Sequence, residues 1–173
     1  MEAENLALQR LNAQSEKTAW DELLRCCGAS KWALKMMTSR PFPGVEALLA
    51  CSEKAFEALT PLDWREAFSH HPQIGDIESL RLKFAATSAW AEKEQVGTQA
   101  ASEAILQELA RGNQDYLDKF GFIFIICATG KSAAEMLSAL QNRLQNDLET
   151  ELWNAAEQQK MITRLRLDKL LES

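Results

Sequence analysis

Glycine and proline are scarce in this chain, at seven and four of 173 residues. So few turn formers argue against a disordered chain and against a β-rich one divided into many short strands. A concentration of charge of one sign is also missing. The formal net charge is −6, from 25 Asp and Glu against 19 Lys and Arg, and the basic residues are interspersed. A nucleic-acid binder shows a clustered basic footprint that neutralises phosphates, so no nucleic-acid partner is expected. Long apolar runs are absent too. The longest uncharged apolar stretch, residues 120–129, is far too short for a bilayer-spanning helix, and no membrane association is expected. The opening Met1-Glu2-Ala3-Glu4 lacks a signal peptide's basic region, and the closing Leu170-Leu171-Glu172-Ser173 carries no retention or peroxisomal signal. The expected location is the cytoplasm.

Metal-ligand spacing is a further absence. The four cysteines, Cys26, Cys27, Cys51 and Cys127, form no Cys-x-x-Cys pair, so neither a disulfide framework nor a zinc site is indicated. Buried reduced thiols that pack as small apolar residues are the expected state. No Gly-rich phosphate loop, activated-serine motif or other metal-ligand cluster occurs. Met36-Met37 and the five tryptophans read as core packing.

What the chain does have is apolar residues, 46% of the total, recurring at three-and-four spacing. That pattern predicts a succession of amphipathic helices: all-α, one compact bundle of roughly eight helices forming a single domain over residues 1–173. The length is ample for a real core without staples. A first clear helix runs from an N-cap at Ser15 through Trp20, Leu23 and Leu24 to a stop at Gly28, and a short one follows Ser30. Pro41-Phe42-Pro43-Gly44 must turn, and a third helix begins near Val45. Thr60-Pro61 supplies an N-cap with proline at the first helical position, opening a helix that must end before Pro72. A long helix is expected over residues 78–95, with a break at Gly97-Thr98. Another covers residues 101–120, with an interruption allowed at Gly112-Asn113. Ser132 and Glu135 form a capping box for a helix through Leu148, and a last helix ends near Leu171. Residues 122–127, Phe-Ile-Phe-Ile-Ile-Cys, are apolar on every face. A buried helical segment is the expectation there, since a lone strand would leave unpaired backbone groups in the core.

Only two histidines occur, in the string Ser69-His70-His71-Pro72-Gln73-Ile74-Gly75-Asp76. Proline drives its predecessor out of helical geometry, so the His71 side chain is held at a loop start, a position suited to a general acid or base that titrates near neutrality. Both histidines could instead cap a helix C-terminus against its dipole. The cap reading is favoured for His70, and the two readings are balanced for His71. Glu94 and Gln95 project about 100° apart around a helix axis. Together they offer a carboxylate and a primary amide, a match for a small ureide, although on the residues alone a solvated charged face is strongly preferred. Near the C-terminus, helical spacing puts Ile162, Leu165 and Arg166 toward one side. A core-side arginine needs a partner, either a substrate carboxylate or an ion pair with Asp147 or Glu149.

Taken in order, His71-Pro72-x-Ile74-Gly75, Glu94-Gln95, Asn113-x-x-Tyr116, Phe120-Gly121-Phe122-x-Phe124, Arg143-Leu144 with Asn146-Asp147 and Glu151, and Ile162-x-x-x-Arg166-Leu167 form a specific series. It resembles the OHCU decarboxylase family, named for 2-oxo-4-hydroxy-4-carboxy-5-ureidoimidazoline, over nearly the whole chain. The resemblance implies an all-helical, cofactor-free, homodimeric enzyme that removes CO2 from a small ureidoimidazoline to form (S)-allantoin, the last step of urate oxidation. It implies His71 as the catalytic residue. It also implies substrate contacts from Pro72, Glu94, Gln95, Arg166 and the backbone of Ile126, Cys127, Ala128, Thr129 and Gly130, with no metal. The chain departs from the family's Ser-x-x-Glu-Gln pattern at Ala91, and His70 stands where a small residue is common. A cyclic-amide hydrolase using the same histidine, and a noncatalytic helical adaptor with His71 on a convex surface, are the rival readings.

Overall fold

The computed structural model describes residues 5–72, 76–85 and 96–173. Among the described residues the regular structure is entirely helical: α1 (Leu6–Ala13), α2 (Glu16–Cys26), α3 (Ser30–Thr38), α4 (Val45–Glu57), α5 (Pro61–Ser69), α6 (Ile77–Ala85), α7 (Val96–Phe120), α8 (Ala133–Arg143) and α9 (Leu148–Glu172). The all-α expectation holds. None of these helices is long and apolar enough to cross a membrane.

Two compact units can be distinguished, Met1–His71 with Asn154–Ser173, and Pro72–Trp153. In the first, the local signals work as read. The Ser15 side chain accepts from Thr18 N–H at 3.2 Å and starts α2. Thr60 and Asp63 complete a capping box with Pro61 in the first turn of α5, which satisfies donors that no helical carbonyl can reach. The sequence reading missed α1, whose N-cap is Asn5. Helix α1 anchors the proline loop: Asn12 and the Phe42 backbone exchange hydrogen bonds of 2.9 and 2.8 Å, and Arg40 donates to the carbonyl of Leu11 at 2.6 Å. The core of this unit is built from Leu11, Leu23, Trp32, Met36, Leu48 and Phe68, all almost fully buried. The Trp32 indole N–H finds the Ser52 carbonyl at 3.2 Å, as a buried polar group must find a partner.

Two helix-start and helix-stop readings need correction here. Helix α2 stops at Cys26 with Cys27 extended as its C-cap, so Gly28 does not serve as a left-handed cap. Its lack of a side chain has another cause: an ideal Cβ there would lie 2.5 Å from both Cβ and Cγ of His70. Helix α3 is capped by Ala29 without a side-chain bond, because Ser30 is committed elsewhere. Its N–H donates to Glu66 Oε2 at 3.1 Å and its hydroxyl to Glu66 Oε1.

In the second unit α7 runs through Gly97-Thr98, against the expected break, and continues without the interruption allowed at Gly112-Asn113. Gly112 is a packing residue, since a Cβ there would meet Leu140 Cδ2 of α8 at 2.7 Å. The helix ends where Gly121 adopts φ 76° and donates to Leu117 O at 2.8 Å, a conformation glycine adopts without a Cβ penalty. The Ser132–Glu135 capping box opens α8 as read. That helix stops at Arg143, not Leu148, because Asp147 accepts from Thr150 N–H at 2.7 Å and starts α9.

The apolar segment 122–127 is irregular rather than helical. What replaces a strand partner is a side chain: Arg143 Nη1 donates to the Ile125 carbonyl at 2.6 Å, and the guanidinium lies 4.6 Å from the Phe124 ring centroid. Arg143 is in turn held by Glu151, fully buried, at 2.9 Å. Tyr116 donates to the same carboxylate, and Asn146 Nδ2 does so at 2.8 Å. The tryptophans are not uniformly core. Trp32 and Trp64 are buried, whereas Trp153 is 56% exposed. Cys26, Cys27 and Cys127 are buried and Cys51 is half-buried, and all four are free.

Candidate functional site

The end of α5 sets the two histidines apart. His70 is the C-cap of α5, its N–H directed to the Ala67 and Phe68 carbonyls, and His71 N–H follows with a bond to Phe68 O at 3.1 Å. The His70 ring lies over Gly28 and is exposed. It lines an open cleft of about 400 Å³ together with Asp21, Leu24, Arg25 and Arg166. His71 is half-buried, and its Nε2 lies 2.5 Å from Gln159 Oε1. Gln159 is fully buried, and its amide nitrogen continues to Thr163 Oγ1 at 3.1 Å.

The electrostatics around His71 favour the neutral imidazole. Loss of hydration on burial is the main effect lowering its pKa below the usual 6.5. The hydrogen bond with Gln159 opposes this, while the charges of Arg166 and His70 reinforce it. A half-buried imidazole that is neutral at physiological pH can accept a proton, the requirement for a general base.

Arg166 is half-buried and its Nη1 donates to the Arg25 carbonyl at 3.0 Å, meeting one of the carbonyls left without a helical partner at the end of α2. Asp147 caps α9, and the neighbouring Arg164 pairs with Asp168 at 3.0 Å. The side of α9 expected to face inward is also corrected: Thr163 and Leu167 are buried, and Ile162, Leu165 and Arg166 are half-buried. With Arg25 and Arg166 against the single carboxylate of Asp21, the cleft has guanidinium groups in excess. A planar guanidinium can receive a carboxylate or ureide through paired N–H donors.

The structure thus brings His71 and Arg166 into one unit, close enough for the arginine's charge to act on the imidazole. Pro72 is exposed and belongs to the second unit, as do Ile126, Cys127, Ala128, Thr129 and Gly130. Of these, Cys127 is buried, Ile126 and Ala128 are half-buried, and Thr129 and Gly130 are exposed in a turn closed by Lys131 N–H to Ala128 O at 3.0 Å. Gly130 has φ 75°, which explains glycine at that point of the turn. Glu94, Gln95 and Ala91 lie outside the described residues. Sequence reasoning missed Gln159, Thr163 and Gly28. The first two carried a signal: Ala155, Gln159, Thr163 and Leu167 recur every fourth residue, so two polar side chains occupy the inward stripe of α9.

The sequence profile of the OHCU decarboxylase family matches residues 12–168. The chain belongs to that family. OHCU decarboxylases are carboxy-lyases, and relatives carry names from urate degradation. The uric acid degradation bifunctional protein TTL of Arabidopsis thaliana is 45% identical over 152 residues, covering 87% of this chain and 46% of that protein. This chain therefore spans less than half of that relative. The 2-oxo-4-hydroxy-4-carboxy-5-ureidoimidazoline decarboxylase of Haloferax volcanii is 24% identical over 163 residues, 94% of each chain. Among solved structures, an OHCU decarboxylase crystallised in the presence of (S)-allantoin matches with a TM-score of 0.70 and 42% identity, covering 88% of this chain and 99% of that one.

Proposed function

We propose that this OHCU decarboxylase family member removes CO2 from 2-oxo-4-hydroxy-4-carboxy-5-ureidoimidazoline to give (S)-allantoin, with His71 as its general acid–base. The observation that carries the reading is the state of His71 in a chain of this family: a half-buried imidazole, its pKa lowered by burial, bound on one nitrogen by Gln159. The substrate's own conjugated ring supplies the electron sink for the departing carboxylate, and His71 handles the proton that sets product stereochemistry. Arg166 binds an anionic or ureide group of the substrate. Pro72, Glu94, Gln95 and the backbone of Ile126, Cys127, Ala128, Thr129 and Gly130 complete the contacts on the strength of the family motifs. Residues 1–173 act as one family domain, as a cytoplasmic homodimer.

The test is direct. Substrate generated in situ by urate oxidase and hydroxyisourate hydrolase is followed by the circular dichroism of allantoin, with and without this protein. Acceleration with release of CO2 is expected, and its absence refutes the reading. His71→Ala retaining near-wild-type turnover refutes the role given to His71.

A further inference from the structure

We propose that Gln159 is the positioning residue of this site, holding the His71 imidazole as the Nε2–H tautomer and leaving Nδ1 as the nitrogen that exchanges a proton with substrate. This rests on the role of His71 proposed above. A buried chain of hydrogen bonds links Thr163, Gln159 and His71. Thr163 Oγ1 accepts from the Gln159 amide nitrogen at 3.1 Å. The amide is thereby oriented with Oε1 toward His71 Nε2 at 2.5 Å. An amide oxygen only accepts, so Nε2 must carry hydrogen, and a neutral imidazole then has its lone pair on Nδ1. Gln159 and Thr163 are 0% and 1% exposed, so water cannot substitute for either partner.

The arrangement also suits proton transfer. When Nδ1 takes up a proton, Nε2 keeps its own, and the bond to Gln159 becomes charge-assisted and stronger. The amide therefore orients the neutral ring and supports its protonated form. The charged groups around the imidazole are Arg166 of α9 and His70 at the end of α5. Asp21 and Arg25 of α2 line the cleft with both. Glu66 of α5 is bonded to the Ser30 backbone and hydroxyl.

The experiment combines 15N NMR of histidine-labelled protein with steady-state kinetics for Gln159→Leu and Gln159→Glu. With only two histidines in the chain, His70→Gln assigns the His71 signals. In the wild type above neutral pH, His71 is expected as the Nε2–H tautomer. In Gln159→Leu that tautomer preference is lost, and kcat falls about ten- to a hundredfold, the range found for partners that orient a functional histidine, with little change in KM. Gln159→Glu keeps an acceptor at the same reach and adds a negative charge. It is expected to restore much of kcat and to move the acid limb of the kcat/KM profile upward by about one unit or more. An Nδ1–H tautomer in the wild type, an unchanged tautomer in Gln159→Leu, or an unmoved acid limb in Gln159→Glu would overturn the proposal. Should the wild type form no allantoin, the functional reading fails, while the NMR arm still decides whether Gln159 holds the ring.

Discussion

Replacing Glu151 by leucine tests the account of the second unit most severely. The carboxylate is fully buried and receives Arg143 at 2.9 Å, Asn146 at 2.8 Å and the Tyr116 hydroxyl, while the Arg143 side chain is only 12% exposed. Removing the carboxylate strands a buried guanidinium and leaves donors without their acceptor. Breaking one partner of a buried pair costs about 3–5 kcal/mol. For a chain of this size each kcal/mol corresponds to a Tm shift of about 2–4 °C, so a fall on the order of 6–20 °C is expected. Glu151→Gln keeps one accepting oxygen but loses the charge, and its loss is expected to fall between wild type and Glu151→Leu. Arg143→Met combined with Glu151→Leu removes both charges, and should be less destabilised than the sum of the single variants. Because Arg143 also holds the Ile125 carbonyl at 2.6 Å, Glu151→Leu should loosen residues 126–130 and, on the contacts proposed for them, raise KM for the ureidoimidazoline. Urea denaturation supplies the free energies and allantoin formation supplies KM. A loss below about 1 kcal/mol for Glu151→Leu, or strict additivity in the double variant, would refute the reasoning.

Three further outcomes follow from the first unit. Gly28→Ala places a Cβ 2.5 Å from two atoms of His70, atoms too near the backbone to swing away, and should cost about 1–3 kcal/mol as an overpacking change. A thermal melt within 1 °C of wild type would show that His70 relocates freely. The lowered pKa of His71 has a defined linkage sign. Below about pH 6.5 the unfolded chain binds a proton that the folded imidazole resists, so this contribution to stability is present above that pH and is lost as pH falls through it. Wild type should therefore lose more stability than His71→Gln between pH 8 and pH 5.5, and equal losses in urea titrations would contradict this. Finally, burial pushes the Cys26 thiol up to about 12, so in native protein it should react with a thiol-directed disulfide reagent far more slowly than after unfolding. Rapid native labelling mapped to Cys26 by mass spectrometry would count against its burial.

Much of this fold was legible residue by residue because its signals are local. A hydroxyl before a helix meets the same unsatisfied backbone donors wherever the helix lies, and Thr60, Ser15 and Ser132 act as their surroundings in sequence predict. Glycine was less transparent. Gly112 reads as an interruption until Leu140 of another helix is seen against it, and Gly28 reads as a stop until His70 is found over it. The apolar segment 122–127 was misread for a related reason. Its backbone does need partners in the core, but the partner is an arginine side chain contributed by α8.

The amino-acid sequence by itself determined the helical class, most helix starts, the family, and the placement of an imidazole before Pro72, since each depends on short-range backbone sterics or on an ordered set of motifs. Tertiary structure alone decided what each histidine touches. His70 lies over Gly28 beside Arg25 and Arg166, whereas His71 meets Gln159, 88 positions away. The physical reason is that the protonation state and tautomer of an imidazole depend on burial and on the nearest hydrogen-bonding atom. Both are properties of packing between distant segments, which no local pattern encodes.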